Sequence, residues 1–109
     1  MNRPPLNSAV FNIREITKQM LLLEEHLTDN EKFCTDCIRK HFLLMEALAE
    51  EAITMDSLSK WAKVISGLAR EIRRWQVSFI DGLDPLMIGQ KIRKKRKELV
   101  VMVFDPRAS

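Results

Sequence analysis

Seven apolar side chains, Leu58, Trp61, Ile65, Leu68, Ile72, Trp75 and Phe79, recur at intervals of 3, 4, 3, 4, 3 and 4 residues. An α-helix of 3.6 residues per turn gathers such positions into one stripe, whereas a strand would need strict alternation. A seam that fills both a and d positions over more than three heptads must be covered by other apolar helix faces. The chain is therefore expected to be all-α, an antiparallel bundle of about four helices.

Three further segments have helical period. The first, Ser8 to Leu27, places Ile13, Ile16, Met20, Leu23 and Leu27 on one side, with Asn7 or Ser8 as cap. The second, Thr35 to Thr54, has one stripe of Ile38, Phe42, Met45, Ala49 and Ile53 and an adjoining one of Cys37, His41, Leu44 and Leu48. The break before the seam helix, which spans Leu58 to Ile80, is placed at Thr54-Met55-Asp56-Ser57, where three residues can cap. Asp81-Gly82 stops the seam helix, and Asp84-Pro85 restarts the chain as N-cap and first helical residue. The last helix carries Leu86, Ile88, Ile92, Leu99 and Met102, then a β-branched end, Val100 to Phe104, that reads as helical or extended. Residues 1–7 form an extended arm, 105–109 a tail, and 1–109 a single helical domain, which suits 109 residues. The longest apolar run, Leu99 to Phe104, is far short of the roughly 20 residues of a membrane span. Nothing at the start has the pattern of a secretory signal.

Both cysteines and both histidines fall within 16 residues, in the pattern H-x7-C-x2-C-x3-H: His26, Cys34, Cys37 and His41. Cys2His2 is a closed tetrahedral set for structural Zn2+. Cys34 and Cys37 have knuckle spacing, and Cys37 and His41 share a helical face at i, i+4. A short link sets the end of the first helix beside the start of the second, which brings His26 to the other three. The expected cofactor is one Zn2+ that staples this hairpin. Two other readings use the same residues: a Cys34/Cys37 thiol-redox pair at a helix N-terminus, or four ordinary packed side chains. A thioredoxin-like fold lacks its strands here, a flavin-linked sulfhydryl oxidase lacks its His- and Asn-containing motif, and covalent haem needs His where Ile38 stands. Four protein ligands leave no open coordination position, and no phosphate loop or Ser-His-Asp order is present, so no enzyme and no small-molecule substrate is expected.

Charge is split along the chain. Residues 1–54 hold six basic and nine acidic side chains; residues 55–109 hold twelve and six. Six of the seven residues at 91–97 are basic: Lys91, Arg93, Lys94, Lys95, Arg96 and Lys97. Such a run binds phosphates, pairs with an acidic protein, or decorates a solvated face. Aromatics at single-strand-binding spacing are missing nearby. Arg70, Arg73 and Arg74 can extend the patch, and Trp61 and Trp75, on the seam, are expected in the core.

The block Leu21-Leu22-Leu23-Glu24-Glu25-His26-Leu27, followed by Cys34-Thr35-Asp36-Cys37-Ile38-Arg39-Lys40-His41-Phe42 and continuing through Glu46 to Ala52, covers about a third of the chain. It is similar to small proteins of large double-stranded DNA viruses and related phage-like sequences with a C-x-D-C-I-[RK]-K-H motif. The resemblance implies a viral origin and a place in the virion or host cytoplasm, as a minor capsid or other virion component among capsid proteins. The reading is a zinc-stabilised structural or interaction protein, with a nucleic-acid-binding accessory protein and a thiol-redox protein as alternatives. Because Lys95 and Arg96 interrupt the last helix's apolar stripe, part of the Trp75–Phe79 end or the Val100–Phe104 tail is expected to be covered by a neighbouring chain.

Overall fold

A computed structural model describes residues 8–55 and 61–104 and contains four helices: α1 (Ser8–Thr28), α2 (Thr35–Met55), α3 (Ala62–Ile80) and α4 (Pro85–Phe104). The arm at 1–7, the tail at 105–109, the caps at Asn7 and Ser57 and the first seam residue, Leu58, lie outside the described residues. Helix ends follow local chemistry. After α3, Gly82 sits at a φ of 89°. Its N–H bonds the Phe79 carbonyl at 3.2 Å, and the Leu83 N–H bonds that of Ser78 at 2.9 Å. This is a Schellman end, which needs a left-handed residue and so favours glycine. The Asp84 carboxylate then accepts the Leu86 N–H at 3.0 Å and caps α4. Val100 to Phe104 continues α4 as helix.

Cross-helix contacts fix the topology. His26 meets His41 and Asn12 bonds the Leu48 carbonyl, so α1 and α2 run antiparallel. Phe42 faces Phe79, and Arg73 pairs with Glu46 and Glu50, so α2 and α3 do the same. Gly89 abuts Thr28 while Arg14 reaches the Val103 carbonyl at 3.1 Å, which sets α4 antiparallel to α1. The result is an up-down-up-down bundle of 43 × 25 × 25 Å. α1 packs closely on α2 and α4, and α2 on α3, but α3 and α4 touch only sparsely.

The core follows the stripes. Ile13, Ile16, Met20, Leu23 and Leu27 of α1, Ile38, Phe42, Met45 and Ala49 of α2, Ile65, Leu68, Ile72 and Trp75 of α3, and Ile88, Ile92 and Leu99 of α4 are buried together with Trp61. Ala52 and Val103 join them, whereas Leu44 and Leu86, assigned to apolar faces from spacing, stay exposed. Trp75 is only 5% exposed and Phe79 packs between Phe33 and Phe42. Between them Val77 is exposed, as is Val101 near the end of α4, so apolar surface remains at both places where a neighbouring chain is expected. The stripe of α4 is completed by a cross-helix pair. Arg96 forks onto the Glu24 carboxylate through Nε–Oε2 and through Nη2–Oε1 at 3.1 Å. Glu24 is only 8% exposed.

Candidate metal and basic sites

The antiparallel hairpin brings the last turn of α1 to the first turns of α2. There the His26 and His41 rings lie with centroids 5.3 Å apart and planes inclined by 30°. His26 Nδ1 is 2.7 Å from the Lys32 carbonyl oxygen. His41 Nδ1 is 2.6 Å from the Gln19 side-chain oxygen. Both oxygens accept, so each Nδ1 is the donor, and in a neutral ring Nε2 is then the acceptor nitrogen. That tautomer is the one metal-bound histidines take when a carbonyl or amide orients the ring. Gln19 belongs to no motif, and spacing alone does not signal it as a partner of His41. It precedes His26 by seven residues, two helical turns on the same face of α1. Burial, and to a lesser extent the neighbouring His26 ring, holds His41 below the ordinary histidine pKa.

Cys34 stands immediately before α2, and Cys37 in its first turn; both are half-buried free thiols. The Cys37 N–H donates to Cys34 Sγ at 3.3 Å. The Cys37 thiol also donates to Cys34 Sγ, which lowers the Cys34 pKa and raises that of Cys37. Cys34 is therefore the first of the pair to become a thiolate, the form that binds metal or attacks a disulfide. The Lys32 carbonyl held by His26 lies two residues before Cys34, so one hydrogen bond ties the cysteine-bearing link to the histidine-bearing helix. The four residues occupy one end of the hairpin as two pairs. Among the described residues, no group of three or more His, Cys, Asp or Glu side chains is arranged to hold a metal ion.

The basic run does not act as one surface. Arg96 faces α1 and is bound by Glu24, whose hydrogen bond raises the guanidinium pKa further. Lys95 bridges Glu71 at 3.0 Å and Glu98 at 3.8 Å. Lys91, Arg93, Lys94 and Lys97 are exposed. A helix of 3.6 residues per turn cannot place seven consecutive side chains on one side. Arg73 is likewise engaged with the acids of α2, whereas Arg74 lines a concavity between α3 and α4. Among the described residues, no helix is long and apolar enough to cross a membrane. Comparisons of the chain with protein-family models, with curated proteins and with solved structures give no match.

Proposed function

We propose that this chain is a non-catalytic structural module whose α1–α2 hairpin is clamped by one Zn2+ through His26, Cys34, Cys37 and His41, and which works by holding other proteins. The observation that carries the reading is the histidine pair. Two imidazoles in contact, each with Nδ1 committed to an oxygen, present two Nε2 lone pairs at one end of the hairpin. A neutral imidazole whose Nδ1 donates keeps Nε2 for a proton, a water or a metal, and the cysteine pair stands on the adjoining turn.

The same end of the bundle exposes apolar side chains from the link after α1, the end of α3 and the start of α4: Phe33, Val77, Ile80, Leu86 and Met87. Zinc would fix the turn that carries Phe33 and so stabilise a contact surface rather than a reaction centre. The C-x-D-C-I-[RK]-K-H resemblance extends the proposal to a minor capsid or other virion component among capsid proteins. The test is metal content with stability. Protein purified without chelator should hold one zinc per chain and lose thermal stability when the metal is removed. Cys37→Ser should lower both metal content and stability. Metal-free protein of unchanged stability overturns the clamp. A Cys34–Cys37 disulfide in the native protein transfers the pair to redox chemistry, for which the depressed Cys34 pKa is the supporting observation.

A further inference from the structure

The sparse packing between α3 and α4 leaves a groove of about 320 Å³. Its α3 wall is Glu71, Arg74, Trp75 and Ser78, and its α4 wall is Lys91, Lys94, Lys95 and Glu98. Each set is spaced i, i+3, i+4, i+7, so each is a single helical face, and the two faces look at one another. Charge is graded along the groove. At one end Lys95 is shared by both carboxylates, 3.0 Å from Glu71 and 3.8 Å from Glu98. Towards the α3–α4 turn stand Arg74, Lys91 and Lys94, which form no ion pair among the described residues. The Ser78 hydroxyl and the nearly covered Trp75 ring complete that half.

We infer that this half-groove binds the phosphates of a small polyphosphate ligand, either an inorganic chain or the tail of a nucleotide. Three uncompensated cations in a concavity repel one another, and a multiply charged anion removes that repulsion. An arginine fork and two lysine point charges match tetrahedral phosphate oxygens, and a hydroxyl supplies one more donor. The volume lies at the small end of ligand sites. A nucleic-acid strand fits less well. Trp75 offers too little open face for a base to stack on, and the lining holds no other aromatic side chain. The site is separate from the cysteine–histidine cluster and does not depend on the zinc reading.

The experiment is calorimetric titration of the full chain with tripolyphosphate, with ATP and with a single-stranded oligothymidylate at fixed moderate salt. Two charge-matched variants keep electrostatics constant. Lys91→Gln/Lys94→Gln removes two of the three uncompensated cations of the groove, while Arg93→Gln/Lys97→Gln removes the same charge from α4 outside it. Tripolyphosphate and ATP should each bind at one site per chain. The groove variant should weaken both by at least tenfold, and the outer variant should keep them within about threefold. The Trp75 indole N–H signal should move on titration with tripolyphosphate. Equal losses in the two variants, absence of saturable binding, or an oligothymidylate that displaces tripolyphosphate from the groove would each overturn the inference.

Discussion

Removing Glu24 alone should cost the protein far more than removing Glu24 and Arg96 together. The pair joins α1 to α4 with side chains 11% and 20% exposed, and the guanidinium forks onto both carboxylate oxygens. Deleting one partner of a fully buried pair costs about 3–5 kcal/mol, because the remaining charge is left in a poor solvent. An exposed pair is worth about 0–1 kcal/mol. The residual exposure lets water reach the abandoned group, so Glu24→Met or Arg96→Met should each cost about 2–3 kcal/mol. With an unfolding entropy of about 2.1 cal/mol/K per residue, a chain of this length should lose roughly 10 °C in Tm for about 2.5 kcal/mol. Replacing a buried pair by apolar groups of similar volume is often neutral. Glu24→Met/Arg96→Met should therefore recover most of the loss. Urea and thermal unfolding followed by circular dichroism close the double-mutant cycle. Single variants that each lose under about 0.5 kcal/mol, or losses that simply add, would refute the claim that these charges complete the α1–α4 interface.

Gly89→Ala should destabilise by about 1–3 kcal/mol despite the better helix propensity of alanine. An added Cβ would lie 2.7 Å from Thr28 Cγ2, and the Thr28 hydroxyl is held by the Glu24 carbonyl. Adding Thr28→Ser, which deletes that methyl and keeps the hydroxyl, should restore stability in the same urea assay. Gly82→Ala should cost about 1–2 kcal/mol, read as a lowered Tm, because its φ of 89° is unfavourable for a residue with a Cβ. Gln19→Leu should weaken zinc binding about 10–100-fold in competition with a chelating indicator while leaving helix content unchanged, because the His41 ring loses the acceptor that orients it.

Helix number, order and nearly every boundary were legible because their signals are local. Gly82 readily takes a left-handed conformation that ends a helix, Asp84-Pro85 supplies an N-cap and a first helical residue, and stripes at three and four report a buried side. What depends on a neighbour was not legible. Arg96 occupies a core-facing slot of α4 and reads as an interruption until Glu24, 72 residues earlier, is set opposite it. Leu86 has the spacing of a core residue, but at the end of α4 it stays exposed. The basic run reads as a patch in one dimension, and the helix distributes it over α1, the α3 groove and solvent. For the candidate metal residues, knuckle spacing signals the Cys34–Cys37 pair, and hairpin closure the meeting of His26 with His41. The oxygens that fix the two rings came from a side chain and a loop carbonyl that carry no motif.

The proposed zinc ion is shared by two cysteines and two histidines at one end of the α1–α2 hairpin. X-ray absorption at the zinc edge on the purified native protein tests it most directly. The expected result is one zinc per chain with two sulfur scatterers at about 2.3 Å and two imidazole nitrogens at about 2.0–2.1 Å. The nitrogen contribution should fall in His26→Asn and in His41→Asn. A first shell without sulfur, or with oxygen and nitrogen only, or protein that holds no zinc at all, would contradict it.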